Sequence, residues 1–369
     1  MLSAERAQVG AERAWGGAEQ TWVGAERARA GTERAQGGAG HGFERAAVVG
    51  AGLMGRGIAQ VLAAGGLDVV LYDAEAHIRD GSVEAIRARL GEADGHGLLT
   101  GSADLDSAVG DADLVVEAVT EDLDVKRDVF ARISAATPSA VLATNTSVLP
   151  VTAIAEQARH PERVLGTHWW NPPDLIPVVE VVPGRRTSAE VTERVVALLG
   201  CLGKTPVRVR RDVPGFIGNR LQHALWREAI ALVADGICDA ETVDLVARNT
   251  IGLRLARLGP LENADYVGLD LTLAIHDTVI PALSRDSEPS HLLRELVARG
   301  DLGAKSGRGF LEWRTGDREA AARALAAHLT AQTASGSARC SRQQSGGQRS
   351  SGQQSSGQQS SGQQRGTPA

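Results

Sequence analysis

The chain has 369 residues, a formal net charge of −6 and 3% aromatic residues. It contains neither a basic block nor interleaved aromatic and basic residues, which argues against nucleic acid as a partner. No apolar run approaches the ~18 residues that span a bilayer, and the N-terminus lacks the charged-then-apolar pattern of a secretion signal.

Residues 1–42 repeat a Gly-Ala-Glu-Arg-Ala-like unit nearly devoid of branched apolar residues. Residues 333–369 are Ser-, Gly- and Gln-rich. Neither stretch can bury enough surface to offset its ordering entropy, so both are predicted to be disordered extensions. Cys201, Cys238 and Cys340 form an odd set with neither metal-ligand nor disulfide spacing, so no metal is expected and a reducing cytoplasm is the default.

The first predicted strand is the apolar run Ala46 to Gly50. It leads into Gly50-Ala51-Gly52-Leu53-Met54-Gly55 and then a helical pattern over residues 57–64. A second strand over residues 68–72 ends in Asp73. Glycines at this spacing between a strand and a helix, with an acid ~20 residues on, form a dinucleotide-binding signature. Gly50 permits the tight turn, Gly52 lets the backbone approach a pyrophosphate, and Gly55 lets helix and strand pack closely. Asp73 would accept from the adenosine ribose hydroxyls and repel a 2′-phosphate, which favours NAD over NADP.

A helix and a loop follow. Strands are then predicted over residues 112–117 and 140–144, with a helix over 122–136 between them. The alternation continues to Val209 and implies a Rossmann-type doubly wound, mostly parallel sheet. Ligands in such sheets lie beyond the carboxyl ends of the strands, so Glu121, Ser147 and His168 would gather on the cofactor edge.

Residues 166–180 carry His168 and Glu180 at equal distances from Asp174, on either side of Asn171-Pro172-Pro173. Extended segments folded back at that turn would bring the two together. A histidine oriented by a buried carboxylate is a general base suited to an alcohol, although such a pair in a hairpin, taken alone, is more often structural. No convincing strand follows Arg211. Pro214 suits the first turn of a helix running to about residue 235. Amphipathic stretches lie near residues 240–248, 262–283 and 289–299, and residues 316–332 read as a terminal helix. The predicted organisation is a dinucleotide-binding domain over 43–211 and an all-helical C-terminal domain over 212–332, between extensions 1–42 and 333–369.

The glycine segment, Glu121 to Lys126, Asn145-Thr146-Ser147, His168 to Asn171, Glu180, Asp212 to Arg220, Gly259 to Glu262 and Lys305 to Phe310 together resemble the L-3-hydroxyacyl-CoA dehydrogenase family, in particular its 3-hydroxybutyryl-CoA dehydrogenases. The resemblance spans residues 46–313. It implies a helical domain like that of 6-phosphogluconate dehydrogenase, homodimerisation through that domain, and NAD-dependent oxidation of a 3-hydroxyacyl-CoA in fatty acid or butanoate metabolism. It further implies His168 as the base, Glu180 as its orienting partner, Ser147 on the substrate hydroxyl and Asn219 near the substrate carbonyl or the histidine. Gly50, Gly52, Leu53, Met54, Gly55, Asp73, Glu121, Lys126, Ser147, Asn171 and Lys305 would meet NAD. The bland reading of Lys126 and Lys305 is solvated surface charge.

Two departures bear on the substrate. Acyl-CoA members carry a long, lysine-rich arm after the second strand, whereas residues 74–100 hold no lysine, and Arg79, Arg87 and Arg89 are opposed by Asp80, Glu84, Glu92 and Asp94. Residues 171–177, 219–224 and 252–262 look closer to the branch containing L-gulonate 3-dehydrogenase, lambda-crystallin and carnitine 3-dehydrogenase, whose substrates lack CoA. Arg254 and Arg257 could there grip a free carboxylate. The alternatives are therefore a free 3-hydroxy acid dehydrogenase and a non-enzymatic NAD-binding scaffold.

Overall fold

The computed structural model describes residues 42–91 and 95–346, with side chains described as far as residue 333. Eight strands form one sheet in the order β3-β2-β1-β4-β5-β6-β7-β8. They are β1 Arg45–Val49, β2 Asp68–Tyr72, β3 Leu99–Ser102, β4 Leu114–Glu117, β5 Val141–Thr144, β6 Val164–Trp169, β7 Val178–Pro183 and β8 Thr205–Arg208. Every neighbouring pair is parallel except β6 with β7. Helices α1 Leu53–Ala64, α2 Ala76–Leu90, α3 Leu105–Val109, α4 Leu123–Ala136, α5 Val151–Ile154 and α6 Ala189–Cys201 cover the sheet.

Parallel strands covered on both faces read as unbroken apolar runs, because alternate side chains enter different cores. In β1, Ala46 and Val48 join Ile58 and Leu62 of α1, Ile86 of α2 and Leu198 of α6. Ala47 and Val49 join Phe130 and Ile133 of α4, Val151 and Ile154 of α5, and Leu105 of α3. The sequence reading overlooked β3, which pairs only with β2. Leu-Thr-Gly-Ser offers one apolar residue and no alternation to mark a strand.

The second part of the chain is helical: α7 Gly218–Ala234, α8 Ala240–Asn249, α9 Ile251–Leu255, α10 Pro260–Val267, α11 Leu269–Val279, α12 His291–Ala298 and α13 Asp317–Gly346. Its first helix begins at Gly218 rather than Pro214, because Gly215 (φ 75°) and Phe216 (φ 48°) are left-handed and cannot belong to an α-helix. The stretch expected over 262–283 is broken at Gly268 (φ 107°). The terminal helix continues past residue 332 to Gly346. The expected extensions at 1–41 and 347–369 lie outside the described residues.

Helices α8 to α11 bury no residue. Their apolar side chains face outward instead, with Leu261 and Tyr266 each 81% exposed. No described helix is long and apolar enough to cross a membrane.

Candidate active site

The glycine loop leaves β1 at Gly50, whose φ is 99°. A Cβ there would lie 2.7 Å from the Ala118 carbonyl oxygen, and one at Gly55 would lie 1.7 Å from that of Gly50. The space over Gly52 is open to 4 Å, and no side chain caps α1 at that residue. The first-turn N–H groups, including those of Leu53 and Met54, are therefore available to an anion. Asp73 accepts from Ala51 N (2.7 Å) and Glu75 N (2.9 Å). It thus holds the loop and keeps further acceptor capacity for a ribose. The uncapped helix, the open cradle and the acid at the end of β2 fit a dinucleotide.

At the carboxyl end of β4, Glu121 Oε1 accepts from Thr146 Oγ1 (2.6 Å), Ser147 N (2.8 Å) and Val148 N (3.0 Å). Burial pushes this carboxyl toward a higher pKa, but those hydrogen bonds and Lys126 outweigh it and hold the group below the usual carboxylate value. The Lys126 side chain has 0% exposure, and its Nζ lies 2.7 Å from Glu117 Oε1 and 3.4 Å from Glu121 Oε2. Glu117 also accepts from Thr144 Oγ1 at 2.7 Å. Lys126 is therefore not a solvated surface charge: it is enclosed beneath the cofactor edge, between Glu117 and Glu121.

His168 on β6 stands opposite Glu180 on β7 in the antiparallel register. Its Nδ1 lies 2.7 Å from Glu180 Oε2, and the two side chains are 4% and 3% exposed. The fold-back expected from the sequence is present, with a cis Asn171–Pro172 bond at the turn. Glu180 Oε1 accepts from Ile217 N (2.9 Å) and Gly218 N (3.1 Å). Burial acts to raise the Glu180 pKa, but the hydrogen bonds from His168, Ile217 and Gly218 prevail and hold it below the ordinary value. Trp170 and Phe216 flank the imidazole, with ring centroids at 4.9 and 5.7 Å.

Ser147 is half-buried on the loop after β5. Its carbonyl accepts from Asn219 Nδ2 at 2.9 Å, so Asn219 joins the site by fastening this loop. Asn171 is exposed at the hairpin tip and Lys305 is exposed in the turn after Gly303. Among the described residues, Lys305 has no hydrogen bond or ion pair to the glycine loop. Arg254 and Arg257 are exposed.

Sequence reasoning overlooked several supporting residues. Lys204 Nζ donates to the Pro173 and Ile176 carbonyls at the hairpin tip; its one sequence signal is that lysine occurs in the chain only at positions 126, 204 and 305. Asn145 Oδ1 accepts from Trp169 N at 3.1 Å. Glu117 and Phe216 gave no sign beyond their neighbourhood in a motif. None of the three arginines on α2 stands free. Arg79 pairs with Asp80 at 2.8 Å, Arg87 donates to the Leu99 carbonyl at 2.6 Å, and Arg89 donates to Gln60 Oε1 at 3.3 Å.

Residues 45–213 match the profile described as "3-hydroxyacyl-CoA dehydrogenase, NAD binding domain". Residues 215–313 match "3-hydroxyacyl-CoA dehydrogenase, C-terminal domain". A probable 3-hydroxybutyryl-CoA dehydrogenase of Deinococcus radiodurans is 38% identical over 279 residues, 72% of this chain and 99% of that protein. An L-carnitine dehydrogenase of Streptomyces coelicolor is 42% identical over 227 residues, 59% of this chain and 71% of that protein. The crystal structure of a 5-formyl-3-hydroxy-2-methylpyridine 4-carboxylic acid 5-dehydrogenase, described as an NAD+-dependent dismutase, matches with a TM-score of 0.74 and 33% identity over 78% of this chain and 97% of that one.

Proposed function

The chain belongs to the 3-hydroxyacyl-CoA dehydrogenase family, and we propose that it oxidises the 3-hydroxyl of a 3-hydroxyacyl-CoA to the 3-oxo compound with NAD. The observation that carries this reading is the 2.7 Å contact of His168 Nδ1 with Glu180 Oε2 in a nearly closed environment. Glu180 accepts the Nδ1 proton, which leaves Nε2 with its lone pair toward the cleft. Nε2 takes the proton of the substrate hydroxyl, and the ionised Glu180 stabilises the imidazolium that results. The half-buried Ser147 hydroxyl hydrogen-bonds the same substrate oxygen. Asn219 and Glu121 hold the Ser147 loop from its two sides. Gly50, Gly52, Leu53, Met54, Gly55 and Asp73 hold the dinucleotide, with Asn171 and Lys305 as further contacts. Bound NAD supplies the acceptor for the hydride that leaves the hydroxyl-bearing carbon.

A second reading, a small free 3-hydroxy acid, is favoured by one observation. The three cations of α2 share that helix with Asp80 and Glu84, and Arg79 is paired with Asp80, which leaves little net positive charge for the phosphates of CoA. NADH production by the purified chain on 3-hydroxybutyryl-CoA, free 3-hydroxybutyrate, L-gulonate and L-carnitine separates the two readings. Activity on the thioester alone supports the first, activity on a free acid alone replaces it with the second, and activity on none contradicts both.

We further infer a homodimer formed by the helical domain. Helices α8 to α11 have no buried residue of their own, and apolar surface on this scale calls for a partner. A cytoplasmic setting accords with the exposed free thiol of Cys201.

A further inference from the structure

The chain passes from sheet to helices through Val213-Pro214-Gly215-Phe216-Ile217-Gly218, and this short crossing touches both members of the His168–Glu180 pair. Ile217 N and Gly218 N donate to Glu180 Oε1 at 2.9 and 3.1 Å. The Phe216 ring is 5.7 Å from the His168 ring. Gly218 lies against Trp170 so closely that a Cβ would come within 2.2 Å of Cζ2. The next residue, Asn219, donates to the Ser147 carbonyl at 2.9 Å.

The backbone explains how two consecutive N–H groups converge on one oxygen. Gly215 and Phe216 are successive left-handed residues, with φ of 75° and 48°. Successive N–H groups around such a turn point into a common concavity that favours an anion. Phe216 is the one non-glycine residue with positive φ among those described, and a side chain disfavours that conformation. A glycine would adopt it freely, yet here the position carries a ring that is 1% exposed and packed into the core beside His168.

The carboxylate is thereby divided. Oε1 belongs to the linker and Oε2 to His168. A linker that relaxed from the left-handed turn would withdraw both donors from Oε1 and free the carboxyl to rotate. The imidazole would then lose its fixed partner while the glycine loop stayed intact.

We propose that Phe216 is a positioning residue for the reaction, its left-handed turn aiming the Ile217 and Gly218 N–H groups at Glu180 so that the interdomain linker fixes the orientation of His168. This rests on the reading of His168 and Glu180 as the catalytic pair.

The test compares Phe216→Gly and Phe216→Asn, which tolerate a left-handed backbone, with Phe216→Ala and Phe216→Leu, which resist it. All are assayed in the full chain on whichever substrate the wild type turns over. The expected order of kcat follows the backbone: Gly and Asn exceed Ala and Leu by about tenfold. The KM for NAD stays within about twofold of wild type throughout, because the cofactor loop is untouched. The downfield proton signal of His168 Nδ1–H is expected in the Gly and Asn variants and absent or broadened in the Ala variant. Should Phe216→Ala fail to fold, Phe216→Leu retains a buried apolar side chain and makes the same comparison. An order that follows side-chain size, with Leu at or above Gly, overturns the proposal. His168→Ala serves as the control. If it keeps wild-type turnover, the catalytic reading itself falls. If it is inactive while the Gly and Leu variants are equal, only the role of the linker falls.

Discussion

Replacing Lys126 by Met tests the buried ion pair beneath the cofactor edge. Lys126 and Glu117 are both 0% exposed and 2.7 Å apart. Methionine fills most of the volume but leaves Glu117 as an uncompensated buried carboxylate, at a cost of about 3–5 kcal/mol. For a domain the size of residues 45–213, each kcal/mol lowers Tm by about 2–4 °C, so the expected fall is about 6–20 °C. Adding Glu117→Gln removes the orphaned charge. The amide oxygen can still accept from Val119 N, which now donates to Glu117 Oε1 at 2.7 Å. The double variant should therefore recover most of the loss, a coupling that a double-mutant cycle measures by urea unfolding. A loss below about 1 kcal/mol in Lys126→Met, or a double variant no more stable than the single one, would refute the reasoning.

Three further outcomes are expected. Gly55→Ala places a Cβ 1.7 Å from the Gly50 carbonyl oxygen; it should abolish NADH binding measured by fluorescence titration, and unchanged affinity would contradict the cradle described. Leu261→Arg combined with Tyr266→Asp should convert a dimer to a monomer in sedimentation velocity, whereas a monomeric wild type would remove the proposed interface. Glu121 and Glu180 are both held below the ordinary carboxylate value of 4.5. A depressed folded pKa gives stability that is present above the unfolded value and lost as pH falls through the folded one. Tm should therefore drop as pH is lowered below about 4.5, and Glu121→Gln should flatten that drop; an identical slope in the variant would argue against it.

Much of the nucleotide-binding half is legible in the sequence because backbone geometry dictates it. Gly50 and Gly55 are required by approaches of 2.7 and 1.7 Å that no side chain tolerates. The spacing of His168 and Glu180 about Asp174 translates directly into antiparallel register. Other features depend on contacts that periodicity does not encode. Lys126 sits on an amphipathic helix and reads as solvated, but a strand-end glutamate encloses it. Pro214-Gly215-Phe216 reads as the start of a helix and proves to be a left-handed turn. β3 carries too few apolar residues to announce itself. The helical half shows amphipathic periods whose apolar faces find no core within the described chain, so its packing is not written in this sequence in isolation.

The most direct test of the account is the turnover of His168→Ala in NADH production with 3-hydroxybutyryl-CoA, measured beside its affinity for NADH. In this variant kcat is expected to fall by about 10²–10⁴-fold while NADH still binds, since the dinucleotide cradle lies on other residues. Near-wild-type turnover in that variant would contradict it.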